Sequence, residues 1–249
     1  MTDWLEIRQV LDADVSFSPS EFISNTYERL EGFRPAVLRS PIDTRTVSLD
    51  DSVFHQNFSE FPYFLFVGTL SRMKGVDVLA DAIPEFLMAH PEIHFLFIGR
   101  DDGMPGFARA LDYVSMKCSH FQSNIHYLKG LSKSQLYPII SHSLAVVIPS
   151  RVDNYPNVCV EAHAMNVPVI AANNSSLEEM VRDNETGVLI QNANSSDLTR
   201  ALLKVAELSE EERDRFKTNI RKQIQSIENE DRIEQLILLY RETIQNFRR

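Results

Sequence analysis

Short apolar runs that alternate with longer amphipathic stretches constrain the fold of this chain more than any other feature of its sequence. Residues 63–68 form a continuous apolar run of strand length that ends in glycine, a pattern typical of a buried strand. From Val76 to Leu87 the apolar residues then recur at helical spacing. The pair His90-Pro91 ends this pattern, because proline disfavours the helical conformation in the residue before it. We therefore predict a strand followed by a helix.

The same alternation continues along the chain as far as residue 190. Further strands are predicted at residues 93–99, 125–128, 144–148, 167–171 and 188–190, and helices at residues 107–117, 132–142 and 156–165. Alternating strands and helices favour parallel pairing through right-handed crossovers. The predicted fold class is therefore α/β, a doubly wound parallel sheet whose ligands bind beyond the carboxyl ends of the strands.

The two ends of the chain carry further elements. Helices are predicted at residues 197–208, from a capping box at Ser209 past Ile220, and at residues 232–247. Near the start, a strand is predicted at residues 13–18, a helix at 20–30 and a strand at 36–38, followed by a polar linker at residues 43–60. One such unit cannot cover both faces of its own sheet. We therefore expect this segment to complete another sheet or to be completed by another unit.

Charge and cysteine usage exclude several classes of partner. The chain has 25 Lys and Arg against 35 Asp and Glu, a formal net charge of −10, which disfavours nucleic acid and anionic membrane surfaces. Cys118 and Cys159 have no metal-ligand spacing, and so low a count suits a reducing compartment. We expect a cytoplasmic protein with no metal site, no transmembrane segment and no export signal.

Three segments, read in order, carry a resemblance to a known family. The first is residues 67–75, a strand, a glycine and a basic loop that ends in Lys74-Gly75; the second is residues 148–162; the third is residues 167–189. Over residues 62 to about 208 the chain resembles the nucleotide-sugar-binding half of retaining GT-B glycosyltransferases, family four, also called glycosyl transferases group 1. The division that this implies is a tail of an acceptor domain with the interdomain linker at 1–58, the nucleotide-sugar-binding Rossmann-like domain at 59–208, and C-terminal helices at 209–249. Residues 40–43 stand where members often read Asn-Gly-Val-Asp.

The resemblance implies a site that needs no essential metal or cofactor, in which cations and backbone donors stabilise the leaving diphosphate. It assigns Lys74 to the donor diphosphate; the alternative is a solvated lysine at a helix start. Many members carry arginine directly after the glycine, and here Thr69 holds that place, so Arg72 either substitutes for this arginine or faces water.

The segment from Asp153 to Glu161 is the richest in candidate chemistry. Pro156 suits the first turn of a helix, so the amides of Asn157, Val158 and Cys159 should be free to meet an anion. The resemblance assigns Glu161 to the ribose diol and Asp153 to the donor sugar, although most members carry glutamate rather than aspartate at that place. The alternative for Glu161 is a surface glutamate stabilised by the helix dipole. The alternative for Asp153 is an Asx turn before the helix.

Asp153 and Lys74 are thus the implied catalytic residues. The implied donor-binding residues are Glu161, Arg72, Gly68, Thr69, Tyr155, Pro156, Asn157, Val158, Gly99 and Lys129. Three neighbouring residues are assigned to structure: His163 as a packed ring, Cys159 as a small buried hydrophobe, and Asn166 as a left-handed helix end.

The resulting hypothesis is the donor-binding half of a retaining glycosyltransferase that moves a sugar from a nucleotide diphosphate to an acceptor hydroxyl. Its partners would be a nucleotide-sugar and an acceptor glycan or lipid-linked glycan. The acceptor domain would be on a separate chain if this is one subunit of a split enzyme, and on the same protein if this is a fragment of a longer one. The complete enzyme would be cytoplasmic or peripheral to a membrane. The competing hypotheses are a nucleotide-sugar epimerase of related fold, and a nucleotide-sugar-binding subunit or regulator that is inactive without an acceptor domain.

Overall fold

Two parallel sheets organise the chain. The computed structural model describes residues 2–39, 47–228 and 232–247. It divides into two compact units, Met1–Ile42 with Ser226–Arg249, and Asp43–Gln225. The first unit begins with α1 (Thr2–Leu11), β1 (Phe17–Ser18), α2 (Glu21–Glu31) and β2 (Ala36–Val37). Strands β1 and β2 pair in parallel as a small separate sheet.

The second unit contains the larger sheet. Its elements are α3 (Ser52–Asn57), β3 (Tyr63–Val67), α4 (Val76–Ala89), β4 (His94–Ile98), α5 (Ala110–Lys117), β5 (Ile125–Leu128), α6 (Lys133–Ser141), β6 (Ala145–Ile148), α7 (Asn157–Ala164), β7 (Val169–Ala172), β8 (Gly187–Ile190), α8 (Ser195–Ala206) and α9 (Glu210–Glu228) as far as Gln225. Short 3-10 helices lie at Gln122–Asn124 and Ser176–Glu179, and α10 (Arg232–Phe247) follows near the C-terminus.

Six parallel strands form this sheet in the order β5-β4-β3-β6-β7-β8. The order reverses between β3 and β6, since the chain moves outward from β3 through β5 and then returns to β6. In such folds the crevice beyond the carboxyl ends of the two strands at the reversal is the usual ligand site. The predicted doubly wound parallel sheet with C-terminal helices is confirmed.

Continuous apolar strands explain the core of this unit. Strands β3 and β4 are covered on both faces, so they read as unbroken apolar runs rather than alternating patterns. Phe64 and Phe86 meet edge to face at 5.5 Å between ring centroids, and Phe95 stacks on Phe64 at 5.6 Å.

The capping box predicted at Ser209 is formed at the start of α9. The Ser209 N–H donates to the Glu212 carboxylate, and the Ser209 hydroxyl accepts from the Glu212 N–H.

The described part of the predicted linker at residues 43–60 is not an irregular polar stretch, because it contains α3; its role between two domains stays a prediction. Phe54 and Phe58 are buried, and Phe54 stacks on His142 at 4.0 Å between ring centroids. Phe54 packs at the end of α6 and Phe58 contacts Tyr63 and His126, so these two apolar side chains hold the polar segment against the unit with the large sheet. Residues 40–46, which include the motif compared with Asn-Gly-Val-Asp, lie outside the described residues.

Several predicted element bounds also differ. The strand predicted at 13–18 is limited to Phe17–Ser18, and helix α1 was not predicted. Helix α5 begins at Ala110 rather than at residue 107, because the Asp101 carboxylate accepts the N–H groups of Ala110 and Leu111. The unit with the large sheet runs to Gln225 instead of residue 208. Phe216 and Ile220 of α9 are buried, which joins that helix to the unit.

His163 and Asn166, at the end of α7, have the structural roles predicted for them. Asn166 adopts φ +60, the left-handed conformation expected at a helix end. The His163 ring is 2% exposed and its Nε2 lies 3.2 Å from the carbonyl oxygen of Thr186. Burial lowers the pKa of His163 to about 4, because the charged ring would lose its hydration.

His163 should therefore make folding stability depend on pH. With the folded pKa of about 4 below the ordinary 6.5, the unfolded chain binds the extra proton between these values, so stability falls as the pH drops through this window. The difference corresponds to a loss on the order of 3 kcal/mol by pH 4. Urea unfolding at pH 7 and pH 4 should show a smaller loss for His163→Met than for wild type. Equal losses in the two proteins would contradict this account.

Candidate donor-binding site

Two loops meet at the point where the strand order reverses, one after β3 and one after β6. Gly75, in the first loop, has φ +74, and a Cβ atom there would lie 2.0 Å from the carbonyl oxygen of Pro149 in the second. Only glycine permits so close an approach. The Arg151 N–H donates to the Met73 carbonyl at 2.9 Å, which joins the loops directly. The Lys74-Gly75 pair of the first motif therefore lies where the loop after β3 contacts the loop after β6.

An arginine fork reinforces this junction. The Arg151 guanidinium donates two hydrogen bonds to the Asp77 carboxylate, at 2.7 and 2.9 Å, and one to the Arg72 carbonyl at 2.6 Å. The Arg72 side chain is largely exposed, with its Nε 3.7 Å from Asp77. Arg72 was predicted as a site residue, whereas Arg151, which belongs to the second motif, and Asp77 were given no role. The bidentate pair fixes the loop on which Lys74 lies.

Lys74 and Asp153, the two residues predicted to be catalytic, form an ion pair. Lys74 Nζ lies 2.8 Å from Asp153 Oδ2, and the Asp153 side chain is only 9% exposed while that of Lys74 is 36% exposed. A carboxylate so far removed from water needs a cation or several donors beside it. The resemblance assigns Lys74 to the donor diphosphate and Asp153 to the donor sugar. In the structure the two side chains bind each other.

A cavity of about 270 Å³ lies between the two loops. It is lined by Phe66, Val67, Gly68, Lys74, Val147, Ile148, Ser150, Asp153, Pro156, Asn157 and Val158. Its apolar lining comes mainly from the ends of β3 and β6, and its polar side chains come from the loops that follow these strands and from the start of α7. Gly68 has φ +147, and a Cβ there would meet nothing within 4 Å, so this glycine leaves the floor open. The cavity therefore unites six of the residues predicted from the sequence.

Helix α7 begins at this cavity. Pro156 has φ −65 and precedes the first helical residue, Asn157. The N–H groups of Asn157 and Val158 make no hydrogen bond to any residue that the structure describes. The expectation that the Cys159 amide is free as well is wrong, because it donates to the Pro156 carbonyl at 3.0 Å in a tight first turn. Two amides at the helix N-terminus remain available to an anion.

Tyr155 is held by its backbone and is not part of the cavity lining. It is buried and has φ +58, an uncommon conformation for a residue other than glycine. Its N–H donates to the Ser176 hydroxyl at 2.6 Å, and that hydroxyl donates to the Asp153 carbonyl at 3.0 Å. Sequence reasoning included Ser176 in the third motif but gave it no role in the site.

Glu161 lies on α7 outside the cavity lining and faces α6. It is buried, and its Oε1 lies 3.2 Å from Lys133 Nζ and 3.4 Å from the Tyr137 hydroxyl. The hydrogen bond to Glu161 raises the pKa of Lys133, and burial, reinforced by the same carboxylate, raises the pKa of Tyr137. Neither partner was predicted, although the helix predicted at residues 132–142 places Lys133 and Tyr137, four residues apart, on one face.

Three other predicted donor-binding residues lie outside the cavity lining. Gly99 has φ +145 and sits so close to Gly68 that a Cβ would lie 2.0 Å from the Gly68 carbonyl oxygen. The Tyr127 hydroxyl donates to the Gly99 carbonyl at 3.0 Å. Lys129 is exposed just beyond β5, and Thr69 is half-buried after Gly68. Their binding roles stay predictions.

Two negative findings concern the described part of the chain. Within it, no three His, Cys, Asp or Glu side chains are grouped so as to hold a metal ion. None of its helices combines the length and the apolar character that crossing a bilayer would need.

Comparisons with known proteins identify the family of this chain. Residues 50–223 match the family described as "Glycosyl transferases group 1". A D-inositol 3-phosphate glycosyltransferase of Rhodococcus jostii is 31% identical over 140 residues, which is 55% of this chain and 31% of the relative. The chain thus spans about a third of the length of that curated relative.

Solved structures share the fold. Sucrose-phosphate synthase from Thermosynechococcus elongatus superposes with a TM-score of 0.78 at 20% identity, over 94% of this chain and 59% of the other. Anabaena HepE, solved in complex with UDP and glucose, gives a TM-score of 0.69 at 17% identity, over 86% of this chain and 62% of the other. The fold predicted from the resemblance is therefore found in these proteins, and with the family match over residues 50–223 it shows that this chain belongs to the glycosyl transferases group 1 family, of GT-B fold.

Proposed function

We propose that this chain is the donor-binding half of a retaining glycosyltransferase, which transfers a sugar from a nucleotide diphosphate sugar to an acceptor hydroxyl. One observation carries the proposal: the cavity at the reversal of strand order is lined by Lys74 and by Asn157 and Val158, whose amides have no partner among the described residues. A cation and a helix N-terminus aimed at one space form a site suited to phosphate.

The diphosphate would take its charge compensation from the chain itself. Lys74 Nζ and the N–H groups of Asn157 and Val158 would stabilise the negative charge that develops on the leaving phosphate. Lys74 pairs with Asp153, so an incoming phosphate would compete with that carboxylate for the ammonium. Asp153 is then released to hold a donor-sugar hydroxyl or to steady an oxocarbenium-like centre. The proposed transfer occurs on one face of the sugar, and the departing phosphate helps to take the acceptor proton without an essential metal.

Glu161 would bind the ribose. Its contacts with Lys133 and Tyr137 both involve Oε1, and Oε2 has no hydrogen bond from the described residues. An ionised carboxylate with one oxygen anchored and the other open can accept hydrogen bonds from a diol. Lys133 and Tyr137 would then keep the carboxylate in place.

The relatives support a nucleotide-sugar donor and a second domain. HepE was solved with UDP and glucose, and the curated relative is named for glycosyl transfer. Because the chain spans only part of these proteins, the acceptor glycan or lipid-linked glycan would be bound by an acceptor domain, on a separate chain or elsewhere in a longer protein.

Both cysteines are free and buried, which supports a cytoplasmic location.

Lys74→Ala should weaken binding of a nucleotide diphosphate sugar by about 1–3 kcal/mol, or about 5- to 150-fold, because a charged hydrogen bond is lost. Calorimetry would first identify which of UDP-glucose, GDP-mannose and ADP-glucose binds the wild type. Lys117→Ala is the matched control, since Lys117 also forms a 2.8 Å ion pair, with Asp81, and is similarly exposed. Unchanged affinity in Lys74→Ala would reject the assignment.

Glu161→Ala should weaken donor binding by a similar amount, about 1–3 kcal/mol, through the ribose instead of the phosphates. Its effect should therefore extend to the free nucleoside, whereas that of Lys74→Ala should not. Inorganic pyrophosphate is the complementary probe, since only Lys74→Ala should reduce its binding. If Glu161→Ala bound the nucleoside as tightly as wild type, the ribose assignment would fail.

A further inference from the structure

The segment that joins β6 to α7 adopts a conformation that its own sequence does not favour. Tyr155 stands at φ +58 between Asp153, which pairs with Lys74, and Pro156, which precedes the open amides. A non-glycine residue in this region persists only where its surroundings hold it, and such residues concentrate at functional sites. What holds Tyr155 therefore also sets the direction in which α7 begins.

Ser176 contributes two hydrogen bonds to this segment from a different part of the chain. Its side chain is fully buried in the 3-10 helix that follows β7. The hydroxyl accepts the Tyr155 N–H at 2.6 Å and donates its own hydrogen to the Asp153 carbonyl at 3.0 Å. One hydroxyl thus spans both sides of Asn154, using its donor and its acceptor capacity together.

We infer that Ser176 is a positioning residue for the donor site, acting through the backbone of Asp153 and Tyr155. It fixes the Asp153 main chain so that the carboxylate reaches Lys74, and it aims the first amides of α7 at the cavity. This inference rests on the proposed function, because the cavity must receive a diphosphate for the positioning to matter. It predicts that loss of the hydroxyl harms diphosphate recognition more than recognition of the nucleoside.

Ser175 provides a matched control next to it in the chain. Its side chain is also buried, and its hydroxyl makes two hydrogen bonds at 3.2 Å, from the Leu177 N–H and to the Ala172 carbonyl. Neither bond reaches the segment from Asp153 to Tyr155. Removal of either hydroxyl leaves buried backbone groups unpaired, so both variants should lose stability. Only Ser176→Ala should alter the donor site.

The test compares wild type, Ser176→Ala and Ser175→Ala by calorimetry with UDP-glucose, GDP-mannose, ADP-glucose and the matching nucleosides. For the donor that binds wild type, Ser176→Ala should lower affinity about 5- to 20-fold, the loss expected for a displaced hydrogen-bonding group, and should change nucleoside affinity less than twofold. Ser175→Ala should change both affinities less than twofold. Equal losses in the two variants, or equal losses for donor and nucleoside, would overturn the inference.

Hydrogen exchange on the wild-type chain gives a second test that needs no variant. The Tyr155 amide, bonded to Ser176, should exchange more slowly than the unpaired amides of Asn157 and Val158, and those two should slow when the donor is added. Fast exchange at Tyr155 overturns the role of Ser176. Failure of the wild type to bind any of the three donors overturns the proposed function instead, so the two failures are distinguishable.

Discussion

The close approach of the loops after β3 and β6 is the constraint on which the rest of the site depends. Gly75 lies so near Pro149 that no side chain fits between them, and the bidentate pair of Arg151 with Asp77 joins the loop after β6 to the first turn of α4. This junction places the Lys74 ammonium where it meets Asp153. Without it, the cavity would have neither its cation nor the wall formed by the start of α7.

The ion pair between Lys74 and Asp153 balances the charge of two side chains that line the cavity. In a chain with a net charge of −10, an isolated carboxylate that is only 9% exposed would be costly, and Lys74 compensates it. An anionic ligand can take over the ammonium only if Asp153 gains another partner. A donor-sugar hydroxyl is such a partner, so the ligand that suits this site carries a phosphate and a sugar together.

The sequence predicted the sheet well because burial on both faces leaves a direct mark, the unbroken apolar runs of strands such as β3. Helix ends were predicted equally well from local residue preferences. Pro156 precedes a helix, and Asn166 adopts the left-handed conformation that asparagine tolerates. Segments with few apolar residues were harder. Helix α3 folds because of Phe54 and Phe58, two residues within a stretch that otherwise reads as a linker.

Contacts between residues far apart in the chain could not be predicted from one sequence. The partners of Glu161 lie on α6, and Ser176 reaches Asp153 across 23 residues. The Cys159 amide was misassigned because the tightness of the first turn of α7 depends on how the preceding loop is held. In each case the residue types were visible, but their pairing depends on how neighbouring strands and helices pack.

The most direct measurement of the central claim is a crystal structure of the chain with the nucleotide diphosphate sugar that it binds most tightly. Our account predicts the diphosphate in the cavity between the two loops, with its oxygens about 2.7–3.2 Å from Lys74 Nζ and the amides of Asn157 and Val158, and with the bond from Lys74 to Asp153 broken. A diphosphate bound elsewhere, with that ion pair intact and the cavity empty, would contradict it.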